Sequence, residues 1–461
     1  MSALYSIGDL EQWDKRIQEK AVEFGLDCYP QQFEICDHNQ MLANMAYSGV
    51  PSHYTHWSYG KAYEKQKTLY DYGVAGLPYE MVINSNPALA FLMRDNTLLL
   101  QILTIAHVYG HNDFFKNNFT FKSTRAEYTI DTFKAHGDRI RLYREDPSIG
   151  LENVEKLLDA AHAVSLQCRR NLAIRKRTIE EERDALIESA LPPADPFQRI
   201  HRRKASPRPN LVKVPPVPDD DLLLFIRDHN PNLAGWEKDV LTIVHEEAQY
   251  FVPQIETKIM NEGWATYWHK RILDSLELPE SLHLEFIVRH NQVVRPFEMG
   301  LNPYHIGLVI WRDIAGLNEG DAKLFEVRET DRDTAFFRRH LTEELIRELN
   351  LFEYEVKGKQ KVIRNVADDV GWSQVKEALL KNVGMNTVPV IKVEDADFGH
   401  NHTLYLVHYH DGRDLQLEYA EKTLAYLSQM WHGEVVLETE LDGKRYMLIC
   451  NDGGFSTKAL R

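Results

Sequence analysis

Residues 96–115 read NTLLLQILTIAHVYGHNDFF. This run has the length and apolar content of a buried helix and is too long for a strand. Asn96 is placed to cap it. Inside the run, His107 and His111 stand at i and i+4. A helix that continues through Gly110 projects both imidazoles from one face. That spacing suits two nitrogen ligands on one metal ion. The zinc-protease pattern places Glu directly after the first His, where this chain has Val108. The stretch is therefore half of a known motif.

The other half lies further on. His245-Glu246-Glu247 is followed by Asn261-Glu262-Gly263-Trp264-Ala265. The NEGxA string resembles the helix that donates the third, glutamate ligand in gluzincin metallopeptidases. The second His of a contiguous HExxH falls at Gln249, so no single segment holds a complete site. The fragments complement one another. His107 and His111 supply a histidine pair, and Glu262 supplies a carboxylate. Glu246 or Glu247 is the candidate general base for a metal-activated water. His269 lies two helical turns after Glu262 and shares its face. It is a candidate catalytic residue, a further ligand, or a hydrogen-bond partner that orients a ligand. His290 is a candidate of the same kind. A HxxxH pair also arises by chance in a chain with 20 histidines. Glu262 is harder to dismiss, because a carboxylate beside Trp264, Tyr267 and Trp268 is costly unless paired.

Outward from these segments the pattern stays helical. Ile130, Phe133, Gly137 and Ile140 mark one helix, ended by Pro147. Val154, Leu157, Leu158 and Ala161 mark another, from about Leu151 to Glu188. Helices are also expected over Pro231–Phe251, Ile255–Leu273 and Leu282–Val294. Residues 191–218 hold eight of the 19 prolines and the basic cluster HRRK, which reads as a linker or extended loop. From about residue 345 strand-like alternation appears in VPVIKVED, TLYLVHYH and MLIC. Asp411-Gly412 and Asp442-Gly443 give hairpin signals, and a helix is expected between them, around Tyr419 to Met430. The expected fold is mainly α: a large helical domain carrying gluzincin-like motif helices, followed by a small α+β C-terminal domain. The expected divisions are an N-terminal helical and loop segment over 1–95, a helical core over 96–344, and the α+β domain over 345–461.

Composition narrows the function classes. The 461 residues carry 54 Lys and Arg against 69 Asp and Glu, a formal net charge of -15. Polyanion binding needs clustered cations, so nucleic acid is not an expected partner. The four cysteines, Cys28, Cys36, Cys168 and Cys450, are scattered and form no CxxC pair, which fits a reducing compartment. No signal core and no apolar run of membrane-spanning length is present. A cytoplasmic protein without membrane insertion is expected. No phosphate loop, dinucleotide fingerprint or nucleophile elbow occurs, so no nucleotide cofactor is indicated.

Four blocks carry a family resemblance: HWSYGK (56–61), AHVYGHNDFFKNN (106–118), QYFVPQIETKIMNEGWATYWH (249–269) and NPYHIG (302–307). They resemble the signature blocks of the SpoVR family, over roughly residues 5–450. The resemblance implies a cytoplasmic sporulation protein needed for the spore cortex, the peptidoglycan layer. It further implies association with a PrkA-type serine kinase and a YhbH-type protein with a von Willebrand factor A-like domain. His56, His107, His111, Glu262 and His269 fall inside the blocks. Two readings follow. In one, the chain is a metal-dependent hydrolase-like protein whose zinc or other divalent ion is held by His107, His111 and Glu262, with His269 or His56 beside it. In the other, it is a non-catalytic scaffold for the kinase and its companion.

Overall fold

The computed structural model describes residues 5–50, 52–73, 78–170, 174–190, 209–297, 300–317, 320–357, 360–451 and 454–460. The stretch 191–208, with most of the proline-rich linker and the HRRK cluster, lies outside the described residues. The fold is mainly α, with a small C-terminal sheet domain. The chain divides into two compact units. One comprises Met1–Leu142 and Tyr250–Thr387, the other Tyr143–Gln249 and Val388–Arg461.

The first unit is built around three helices: Leu98–Asn117, Lys258–Ser275 and Pro303–Leu317. The first is buried from Leu99 to Phe115, its polar residues included. Its cap is Thr97, whose hydroxyl accepts from the Leu100 amide at 3.2 Å. The expected cap, Asn96, instead donates to the Tyr79 carbonyl at 3.1 Å. Trp264, Trp268, Trp311, Phe114, Phe336 and Phe337 fill the core between the elements.

Glycines set the spacing of the trio. A Cβ on Gly110 would lie 2.6 Å from Ala265 Cα, and one on Gly263 would lie 2.5 Å from Gly307. The backbones touch there, and no side chain fits between them. Asp333, fully enclosed, caps the central helix with both oxygens, accepting from the Ile259 and Met260 amides at 2.9 Å each. This satisfies two of the amides that every helix start leaves open.

Residues 1–95 contain a sheet as well as helices and loops. Its order is Gln31–Cys36, Ala88–Met93, Glu80–Ile83, the first pair parallel and the second antiparallel. These strands are short, and only four to six residues of alternation mark each. The hairpin Phe352–Lys357/Gln360–Val366 also groups with this unit.

In the second unit a five-stranded sheet runs in the order Gly454–Ala459, Lys444–Asn451, Val435–Leu441, Thr403–His408, Ile391–Phe398. Asp442-Gly443 forms the expected hairpin. Asp411-Gly412 does not: Thr403–His408 and Val435–Leu441 are parallel, and parallel neighbours need a crossover. The helix Leu417–Trp431 supplies it. The helix expected over 151–188 is two pieces, Leu151–Val164 and Ile179–Ala190. Thr178 starts the second, accepting from the Glu181 amide while Glu181 accepts from the Thr178 amide. This reciprocal cap fixes a helix start and interrupts the longer run.

Candidate metal centre

The site grows out of the helix Leu98–Asn117. Asn112 and Asp113 clamp it. Asn112 Oδ1 accepts from the Tyr29 amide at 2.7 Å. Asp113 accepts from Trp264 Nε1 at 2.9 Å and from Arg328 at 3.0 Å. The Trp264 bond fixes the rotation of this helix against Lys258–Ser275, and the Gly110–Ala265 contact fixes their distance. His107 and His111 then face Glu262 from one side, as the i, i+4 spacing requires.

His107 Nε2 is 3.7 Å and His111 Nε2 is 3.5 Å from the same Glu262 oxygen, Oε2. Both contacts are too long for hydrogen bonds. The other nitrogens of the two rings are engaged. His111 Nδ1 donates to Asn261 Oδ1 at 2.8 Å. His107 Nδ1 lies 2.9 Å from His269 Nδ1, and His269 Nε2 lies 2.9 Å from His290 Nδ1. His107 Nε2 and Glu262 Oε2 are buried and without a hydrogen-bond partner. With its proton on Nδ1, His111 turns a lone pair on Nε2 toward a carboxylate.

A second carboxylate arrives from the sheet. Ligand atoms of Glu80, His107 and His111 all lie within 4.8 Å of one another. Among the described residues this is the one group of His, Cys, Asp or Glu that converges in this way, and Glu262 is not part of it, although its Oε2 faces both imidazoles. Tyr304 completes the wall, its ring centroid 5.9 Å from that of His107. Asn302 sets its position, accepting from the Tyr304 amide at 3.0 Å at the start of Pro303–Leu317.

Burial decides the electrostatics. It pushes His111 down to about 4, assisted by His107 and opposed by Glu262 and Asn261. It pushes His269 well below the usual imidazole range, with His107 and His290 adding to the effect. Burial would raise Glu262, but His107, His111 and Lys258 outweigh it, and the carboxyl sits below its ordinary value. Glu80 is raised by burial and by Glu262. The Tyr304 phenol is raised by the Glu262 charge, by burial and by Glu80, so it stays protonated. At neutral pH an ionised Glu262 thus faces a neutral His111, and Glu262 Oε2 and His107 Nε2 have no hydrogen-bond partner. A cation between them satisfies both, so this donor set fits a divalent ion.

The remaining candidates are Glu246, Glu247 and His56. Glu246 and Glu247 sit on the part of helix Gly235–Glu256 that belongs to the second unit, where His245 Nε2 contacts Asp221 at 2.9 Å. They are not among the residues of this cluster. His56 caps the helix Trp57–Asp71, accepting from the Ser58 amide. Val108 is fully buried in the core. Glu80 carries no sequence signal, because it stands on a short strand far from either motif.

Comparison with known proteins gives the family. Residues 5–388 match the family described as SpoVR like protein, and residues 389–442 match the SpoVR-like C-terminal domain. That boundary falls next to the Thr387/Val388 division between the compact units. The chain is 30% identical over 466 residues to the uncharacterised protein YcgB of Escherichia coli strain K12, spanning 92% of this chain and 90% of that protein. No solved structure matches the chain. The matches along nearly all of its length place the chain in the SpoVR family.

Proposed function

We propose that the first unit holds a divalent cation between His107, His111 and Glu262, with Glu80 as a second carboxylate. The chain then acts as a metal-dependent, hydrolase-like protein on a peptide or amide. The observation that carries this reading is the pair of buried, partnerless atoms, His107 Nε2 and Glu262 Oε2, 3.7 Å apart. A divalent ion there supplies Lewis-acid polarisation of a carbonyl or amide. The chain's own groups do the rest. Asn261 fixes the tautomer of His111 by accepting its Nδ1 proton. Tyr304 keeps its phenolic proton and hydrogen-bonds to Glu262, which positions that carboxylate. The family name ties the chain to sporulation, and formation of the spore cortex is the setting we assign to it.

The second reading is a scaffold that assembles a PrkA-type serine kinase with a YhbH-type A-domain protein. The buried Val108 favours it, because the glutamate of the zinc-protease motif is missing at that place. Metal analysis of the whole chain, purified without a histidine tag, separates the two. The cation reading expects about one divalent ion per chain, lost in His107→Ala and in Glu262→Gln variants that keep the wild-type circular dichroism spectrum. A chain without bound metal, or variants that retain it, would refute this assignment.

A further inference from the structure

Three histidines from three helices form a chain behind the proposed cation site. His107 Nδ1 meets His269 Nδ1, and His269 Nε2 meets His290 Nδ1, each at 2.9 Å. The helices are Leu98–Asn117, Lys258–Ser275 and Glu280–Val293. All three rings are buried, at 3%, 0% and 5% exposure. An N···N contact of 2.9 Å at each step requires one ring to donate and the other to accept.

A neutral imidazole carries one N–H, so it donates through one nitrogen and accepts through the other. While all three rings are neutral, two hydrogen bonds along the chain permit only two arrangements. In the first, His107 Nδ1 donates to His269 Nδ1 and His269 Nε2 donates to His290 Nδ1. His107 Nε2 then bears a lone pair, and His290 carries its proton on Nε2. In the second, every proton is displaced. His290 Nδ1 donates to His269 Nε2, His269 Nδ1 donates to His107 Nδ1, and His107 Nε2 bears an N–H that faces Glu262.

We propose that His107, His269 and His290 form a tautomer relay: an ion entering against His107 Nε2 selects the first arrangement, and its presence is registered as a proton on His290 Nε2, on a different helix. This rests on the cation reading of the site. The step balances. The His107 Nε2 proton leaves to solvent as the ion enters. The Nδ1 proton of His269 passes to His107 Nδ1, and the Nδ1 proton of His290 passes to His269 Nε2. His290 Nε2 takes one proton from solvent. One proton leaves and one returns, so the three rings stay neutral. His269 and His290 are thus positioning residues that fix which nitrogen of His107 is free to bind.

Nitrogen-15 NMR of histidine-labelled whole chain, stripped of metal and then titrated with zinc, reads the arrangement directly. The stripped chain is expected to show protons on His107 Nε2, His269 Nδ1 and His290 Nδ1. The zinc-loaded chain is expected to show them on His107 Nδ1, His269 Nε2 and His290 Nε2. Zinc that shifts His107 and His111 but leaves His290 unchanged overturns the relay alone, as does an imidazolium at any of the three. Zinc that moves no histidine signal overturns the cation reading beneath it. Two substitutions separate relay from packing. His290→Leu removes the acceptor and is expected to weaken zinc binding about 10–100-fold. His290→Asn keeps an acceptor oxygen and is expected to bind near the wild-type level. Equal losses in two variants of equal thermal stability would assign His290 to packing and refute the relay.

Discussion

The chain has two concentrations of histidine, and they behave in opposite ways. In the second unit His400, His402, His408 and His410 fall within one short stretch. Each has a partner outside the group: His400 pairs with Asp397, His402 stacks on Trp431 although its Nε2 is buried without a hydrogen bond, His408 meets Thr439 Oγ1 at 2.9 Å, and His410 meets Asp414 at 2.9 Å. In the first unit His107, His111, His269 and His290 come from three helices and meet one another. There, His107 Nε2 and Glu262 Oε2 remain buried without a partner. Density of histidine along the chain is therefore no guide to a site. Convergence in space, with a buried donor or acceptor left over, is the better one.

The largest contrast is in metal retention. His107→Ala is expected to lose the ion completely, whereas His408→Ala and His410→Ala are expected to keep it, by elemental analysis of folded protein. Loss of metal from the second pair would reverse the comparison.

Packing gives the next largest effect. Gly110→Ala and Gly263→Ala drive a methyl into the backbone of the neighbouring helix. Each is expected to cost about 1–3 kcal/mol in denaturant unfolding and to loosen the histidine cluster with it. Unchanged stability would show that the helix trio is not set by these contacts.

Carboxyl titration should differ in sign between the units. Burial raises Asp333 from 3.8 to about 7, against its two amide hydrogen bonds. A carboxyl raised by folding stabilises fully below its unfolded value and loses that contribution as pH rises through the folded one. The advantage of wild type over Asp333→Asn should thus be larger at about pH 5 than at about pH 8. Asp414 is lowered, first by the Asp442 amide and then by His410. Its contribution is present above the unfolded value and lost as pH falls through the folded one, so the advantage of wild type over Asp414→Asn should be level between about pH 5 and pH 8 and shrink only below about pH 4. Parallel slopes for the two variants would contradict this.

The smallest expected effect tests whether every block glycine packs. Gly60 lies in HWSYGK, on the helix Trp57–Asp71, and a Cβ there meets nothing within 4 Å. Gly60→Ala is expected to stabilise by about 0.5–1 kcal/mol, where Gly110→Ala destabilises.

Much of the first unit was legible because its signals are local. His107 and His111 share a helix face by spacing alone, and the apolar run around them allows no other element. Glu262 and His269 are separated by two turns and so share a face as well. What tertiary contact supplies was not legible. Glu80 lies on a four-residue strand, and nothing around it in sequence marks a ligand. Tyr304 stands in NPYHIG, whose glycine reports a helix crossing rather than chemistry. The helix around Tyr419 to Met430 is legible and is the crossover after Thr403–His408; only the hairpin signal at Asp411-Gly412 misleads, because Asp-Gly marks a turn without saying whether the next strand runs back or forward.

Anomalous diffraction from a zinc-soaked crystal of the whole chain tests the central claim most directly. The account predicts one strong peak about 2.0–2.1 Å from both His107 Nε2 and His111 Nε2, with the Glu262 carboxylate beside it. No peak at that place, or a peak beside His410 and Asp414 instead, would contradict it.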